Sequence, residues 1–121
     1  MSETKLTRAD LAQFTGSEQW YRHGLVRNIL FTDGVKFLAD GASAYWLIDE
    51  IALAQRCVPA VVAEGFQLWR LKVNADRTAT LVCEDGDCRE VLRKEIEFTD
   101  FPLDEIKFYV TDNVILLPSE Y

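Results

Sequence analysis

Polar and apolar side chains alternate along much of the second half of the chain. Gln67, Trp69, Leu71 and Val73 fall on one side of an extended segment, with Leu68, Arg70 and Lys72 on the other. A turn over residues 74–77 leads to a second strand, residues 78–83, in which Ala79, Leu81 and Cys83 share a face. Residues 84–87, Glu-Asp-Gly-Asp, make the next turn. Residues 89–98 then alternate Leu92, Lys94, Ile96 and Phe98 with Val91, Arg93, Glu95 and Glu97. This spacing predicts an antiparallel meander. Pro102 stands where a single helical turn can begin, and residues 106–111 and 114–117 form a last hairpin around Asp112-Asn113.

A different period runs through residues 43–56. Good helix formers occur there without proline or glycine, and Ala44, Leu47, Ile48, Ile51 and Gln55 recur on one side. This is the main helix, ended by Val58-Pro59 because the residue before proline is pushed out of the helical region. Further upstream, Thr7 and Asp10 predict a short capped helix over residues 8–14 that packs by Leu11 and Phe14. Residues 28–32 and 35–39 flank Asp33-Gly34, a pair suited to the positive φ angles of a type I′ turn, and predict a hairpin. The fold class expected is α+β: a twisted antiparallel sheet of about six to seven strands, built of hairpins and a meander. The main helix and a short N-terminal helix are expected on one of its faces, in a single domain over residues 1–121.

Composition adds limits. An apolar fraction of 49 %, with seven Phe, four Tyr and three Trp in 121 residues, is enough to build a core without staples. The charged opening MSETKLTRADL does not read as an export signal, and no run reaches the ~18 apolar residues of a membrane span. A cytoplasmic protein with no membrane role is expected. Its three cysteines, Cys57, Cys83 and Cys88, are expected as free thiols. Residues 1–75 carry eight acids and eight bases, whereas residues 76–121 carry twelve acids and five bases, so the net charge of −7 belongs to the second group. A phosphate backbone is repelled there, which argues against direct nucleic-acid binding. The same acidity allows one further reading, a mimic of nucleic acid that occupies a basic site on another protein.

Three blocks, LTRADLAQFTGSEQWYRHGL, FTDGVKFLADGASAYWLIDEIALAQ and EFTDFPLDEIKFYVTDNVILLPSEY, resemble a bacterial family known only as a domain of unknown function. Its members are small single-domain proteins, often carried by phages and plasmids. The resemblance implies an accessory role and brings no catalytic residues with it.

Candidate sites therefore come from the residues themselves. Trp46 and Leu53 project away from the Leu47/Ile48/Ile51 side of the main helix, flanked by Asp49, Glu50 and Arg56. An apolar patch rimmed by charge is how a protein-interaction anchor looks, and the partner expected is a protein, including a second copy of the chain as a homodimer. The second candidate is Trp20-Tyr21-Arg22-His23, where two aromatics, a guanidinium and the sole imidazole meet, as a small-ligand pocket or an enzyme site. No nucleophile stands in a diagnostic spacing to His23, so no catalytic residue is assigned. Cys83 and Cys88 are separated by four residues, which is not the spacing of a zinc knuckle. No metal and no cofactor is expected. Glycine-rich phosphate loops, nucleophile elbows and HExxH pairs are missing from the sequence, so enzyme chemistry has no positive support.

Overall fold

The computed structural model describes residues 20–121. The short helix expected over residues 8–14 lies outside them. The strands are β1 (Trp20–Arg22), β2 (Leu30–Thr32), β3 (Phe66–Val73), β4 (Ala79–Glu84), β5 (Glu90–Ile96), β6 (Glu105–Thr111) and β7 (Val114–Leu116). They form one seven-stranded sheet in the order β1-β2-β7-β6-β3-β4-β5. The described helices are α1 (Asp33–Ala42), α2 (Tyr45–Cys57) and α3 (Pro59–Val62), followed at the end by a 3-10 turn, Pro118–Glu120. The α+β class stands, but the sheet is mixed, because β2 runs parallel to β7.

The long alternating segments pair as their pattern requires. Trp69 lies opposite Cys83 and Leu71 opposite Leu81 across β3 and β4, while β6 joins the other side of β3 with Phe108 opposite Trp69. Those inward residues are buried together with Leu47, Ile48 and Ile51 of α2 in one core cluster. A Leu or Ile placed there removes its whole side chain from water, worth about 1.5–3 kcal/mol each. Helix α2 covers nearly all of residues 43–56, and Val58 takes the extended conformation before Pro59 opens α3.

Two local expectations are corrected. Asp33-Gly34 is not a hairpin turn but the first turn of α1, and no described glycine has positive φ. The Thr32 hydroxyl caps the helix by accepting the Val35 N–H, and Val35, Leu38 and Ala39 then face the core at helical spacing. Five residues of mixed apolar character fit either period, and the cap decides between them. Strand β2 pairs instead with β1, Tyr21 opposite Phe31, their rings stacked at 5.8 Å. Residues 99–104 are likewise irregular rather than helical. They are pinned from outside by Arg77, whose guanidinium donates to the carbonyls of Thr99 (3.0 Å) and Phe101 (2.6 Å).

Candidate functional site

Helix α2 carries a second stripe beside its core-facing one. Trp46, Glu50, Leu53 and Cys57 follow one another at three- or four-residue steps, which puts them on a single flank of the helix. That flank faces β5, the last strand on its side of the sheet. Glu50 marks the middle: its carboxylate accepts from the Lys94 ammonium of β5 at 2.5 Å. On one side of this pair, Leu53 and Cys57 line a cleft of 300 Å³ with Leu92, floored by Trp69 and Leu81. On the other, Trp46 lines a cleft of 230 Å³ with Ile96 and Phe98. Phe98 is 70 % exposed and Leu53 38 %, whereas Trp46 is half-buried against the core. So the two aromatic and aliphatic positions read from the helix do lie at the surface end of the core, each paired with an apolar residue of, or just beyond, the edge strand.

The charges predicted to rim the patch separate. Glu50 holds Lys94, Arg56 lies exposed in the last turn of α2, where a cation opposes the negative end of the helix dipole, and Asp49 turns the other way. Asp49 meets His23: its carboxylate accepts from the imidazole Nε2 at 2.8 Å. The His23 Nδ1 accepts the backbone N–H groups of Leu25 (3.1 Å) and Val26 (3.0 Å). A nitrogen facing two donors must present its lone pair, so the ring proton sits on Nε2, and the buried imidazole joins a tight loop to α2.

The rest of the Trp20–His23 cluster diverges. Trp20 is exposed and lines a 210 Å³ cleft with Thr32 and Glu120. Tyr21 stacks on Phe31, with the Lys36 ammonium 5.4 Å from its ring centre. Arg22 bonds to the carbonyl of Arg27. The four residues are thus spread over a cleft, a packed ring, a loop carbonyl and the α2 contact. Beside them, the hydrogen bond from Lys36 holds the Asp40 carboxyl below its ordinary range, and the bond that Tyr45 donates to Asp40 raises the Tyr45 hydroxyl.

The cysteines do not converge. Cys57 and Cys88 are exposed and Cys83 is buried, all three free. Burial, helped by the nearby carboxylates of Glu64, Glu84 and Asp85, pushes the Cys83 thiol up to about 12. Among the described residues no three His, Cys, Asp or Glu side chains come together as a metal site.

Nor do the acids of residues 76–121 form one ridge. Glu84 and Glu105 flank Arg70, and Glu90 and Glu95 flank Arg93. Asp85 accepts the N–H groups of Asp87 and Arg89 within its own turn, which lowers its pKa, chiefly through Arg89. Asp112 lies at the same end of the sheet as that turn but beyond the intervening β3 and β4, whereas Glu97, Asp100 and Asp104 lie at the opposite end.

Sequence reasoning missed β5 as the second wall. Its signal was present, since Leu92, Lys94, Ile96 and Phe98 alternate as one face, but only the strand order places that face beside α2. No helix of the described residues is long and apolar enough to cross a membrane. Residues 5–121 match the model of a family of unknown function (DUF6876). No curated protein and no solved structure matches the chain.

Proposed function

The chain belongs to the DUF6876 family, whose function is unknown, and we propose that it is a non-enzymatic protein-interaction module whose first partner is a second copy of itself. One observation carries the reading: Trp46 and Leu53 each open a cleft against the same edge strand, and that strand has no neighbour on its outer side among the described residues. An unpaired edge beside exposed apolar side chains is a surface that proteins cover by pairing, often across a two-fold axis. The binding anchors are Trp46 and Leu53, with Glu50 between them and Arg56 exposed at the end of the helix, while Asp49 is turned away to His23. A module without chemistry of its own also suits an accessory role on phages or plasmids, which is part of this proposal.

Light scattering at roughly tens of micromolar tests it, a range in which an interface of ordinary size is largely assembled. A dimer is expected, and Trp46→Ala/Leu53→Ala should shift it toward monomer while the circular dichroism of the fold persists. A monomer that captures no protein, or truncations that cost the several kcal/mol of core positions with no effect on assembly, count against the reading.

A further inference from the structure

The edge strand is self-complementary in one register. The Asn74 N–H bonds to the Thr78 carbonyl across the β3–β4 turn, so the backbone groups of Asn74 and of every second residue before it point to β4. Carried through the pairs Leu71–Leu81 and Leu81–Lys94, this alternation points the backbone of Lys94 and Ile96 inward to β4. That of Arg93 and Glu95 points outward to the open edge.

Resting on the proposed self-association, we infer that two copies pair β5 with β5, antiparallel, about a two-fold axis at Lys94. Arg93 of each copy then lies opposite Glu95 of the other in hydrogen-bonded pairs, joining opposite charges on the outer face of the sheet. On the other face Leu92 meets Ile96. The Leu53/Leu92 cleft of one copy runs on into the Trp46/Ile96 cleft of its partner, so the two clefts become one covered apolar seam. Of the two neighbouring registers, an axis at Arg93 sets Arg93 against itself and one at Glu95 sets Glu95 against itself. At the chosen axis the facing Lys94 side chains are each drawn back to their own Glu50. Charge thus favours the axis at Lys94 over its two neighbours.

Cysteine scanning in a Cys57→Ser/Cys88→Ser background tests the axis. Residues opposite each other in a non-hydrogen-bonded antiparallel pair have Cα atoms about 4.5 Å apart, within disulfide range. Lys94→Cys should give a disulfide-linked dimer under mild oxidation. Arg93→Cys and Glu95→Cys, whose like residues lie about 8 Å apart in this register, should not. Arg93→Glu should weaken the dimer about tenfold or more, and Arg93→Glu/Glu95→Arg should restore it. Cross-linking through Arg93→Cys or Glu95→Cys instead, or a dimer indifferent to both charge changes, overturns the register while leaving self-association intact. A monomer by light scattering overturns the pairing itself; capture of another protein that Trp46→Ala/Leu53→Ala abolishes would then leave the interaction surface standing.

Discussion

The carboxylate of Glu120 accepts the backbone N–H of Gly34, 86 residues earlier, at 3.2 Å. The same carboxylate accepts the Thr32 hydroxyl at 2.6 Å and the Leu117 N–H at 2.9 Å. It sits over the first turn of α1, where unpaired N–H groups and the positive end of the helix dipole favour an anion. A Cβ on Gly34 would come within 2.7 Å of it, so any larger residue there has to displace the carboxylate, and the glycine's role is this close approach rather than an unusual φ.

A double-mutant cycle follows from this contact. Glu120→Ala should lower stability by about 1–2 kcal/mol, the range of a lost helix cap. Gly34→Ala alone should destabilise slightly, since displacing the carboxylate outweighs the gain of about 1 kcal/mol from a better helix former. In the Glu120→Ala background the same change should stabilise. Urea midpoints of the four proteins give the coupling; additive effects would mean that the two residues do not meet.

That contact also explains what could and could not be read from the sequence. The meander from Phe66 to Ile96 and helix α2 were legible because each repeats one period over several turns or pairs. Helix α1 was not, because Val35–Ala39 is too short to show a period, and Asp33-Gly34 serves a type I′ turn as readily as a helix start. The side chains that settle it, Thr32 and Glu120, come from opposite ends of the described chain. The candidate site divides in the same way. Trp46 and Leu53 were visible as a helical stripe, whereas β5 as their facing wall depends on strand order, and Asp49 meeting His23 depends on a loop closing over α2.

His23 should act as a structural tie. His23→Ala leaves the buried Val26 N–H without its acceptor and should cost about 2–3 kcal/mol. Asp49, whose side chain is half exposed, should cost under about 1 kcal/mol when changed to Ala, and less when changed to Asn, which keeps an acceptor for Nε2. Nitrogen-15 shifts of the ring should show the proton on Nε2; the opposite tautomer would contradict the geometry.

Gln67 is the polar centre of the core. Its amide nitrogen donates to Gln55 Oε1 (2.8 Å) and the Val61 carbonyl (2.9 Å), and its oxygen accepts from Gln55 (2.7 Å) and from the Trp69 indole (2.9 Å). One side chain thereby joins β3, α2 and α3. Gln67→Leu should cost about 2–4 kcal/mol, because it strands the indole N–H and a helix carbonyl in the interior. A loss below about 0.5 kcal/mol would show that the network contributes little beyond packing.

Cys83 offers a prediction on both reactivity and pH. With its thiol at about 12, it stays neutral near pH 8, and a maleimide should modify Cys57 and Cys88 quickly and Cys83 only after unfolding. The raised value also sets a sign. Between the ordinary thiol range near 8.5 and about 12, the unfolded chain releases a proton that the folded chain keeps, so stability falls as pH rises through that window. Below the window the contribution is fully present. Lysines and tyrosines titrate there too, so the measurement is a difference: Cys83→Ala should be less stable at pH 8, where a cavity is its main effect, yet lose less stability than the parent on going to pH 11. Equal slopes for the two proteins would show that this thiol ionises as readily in the fold as outside it.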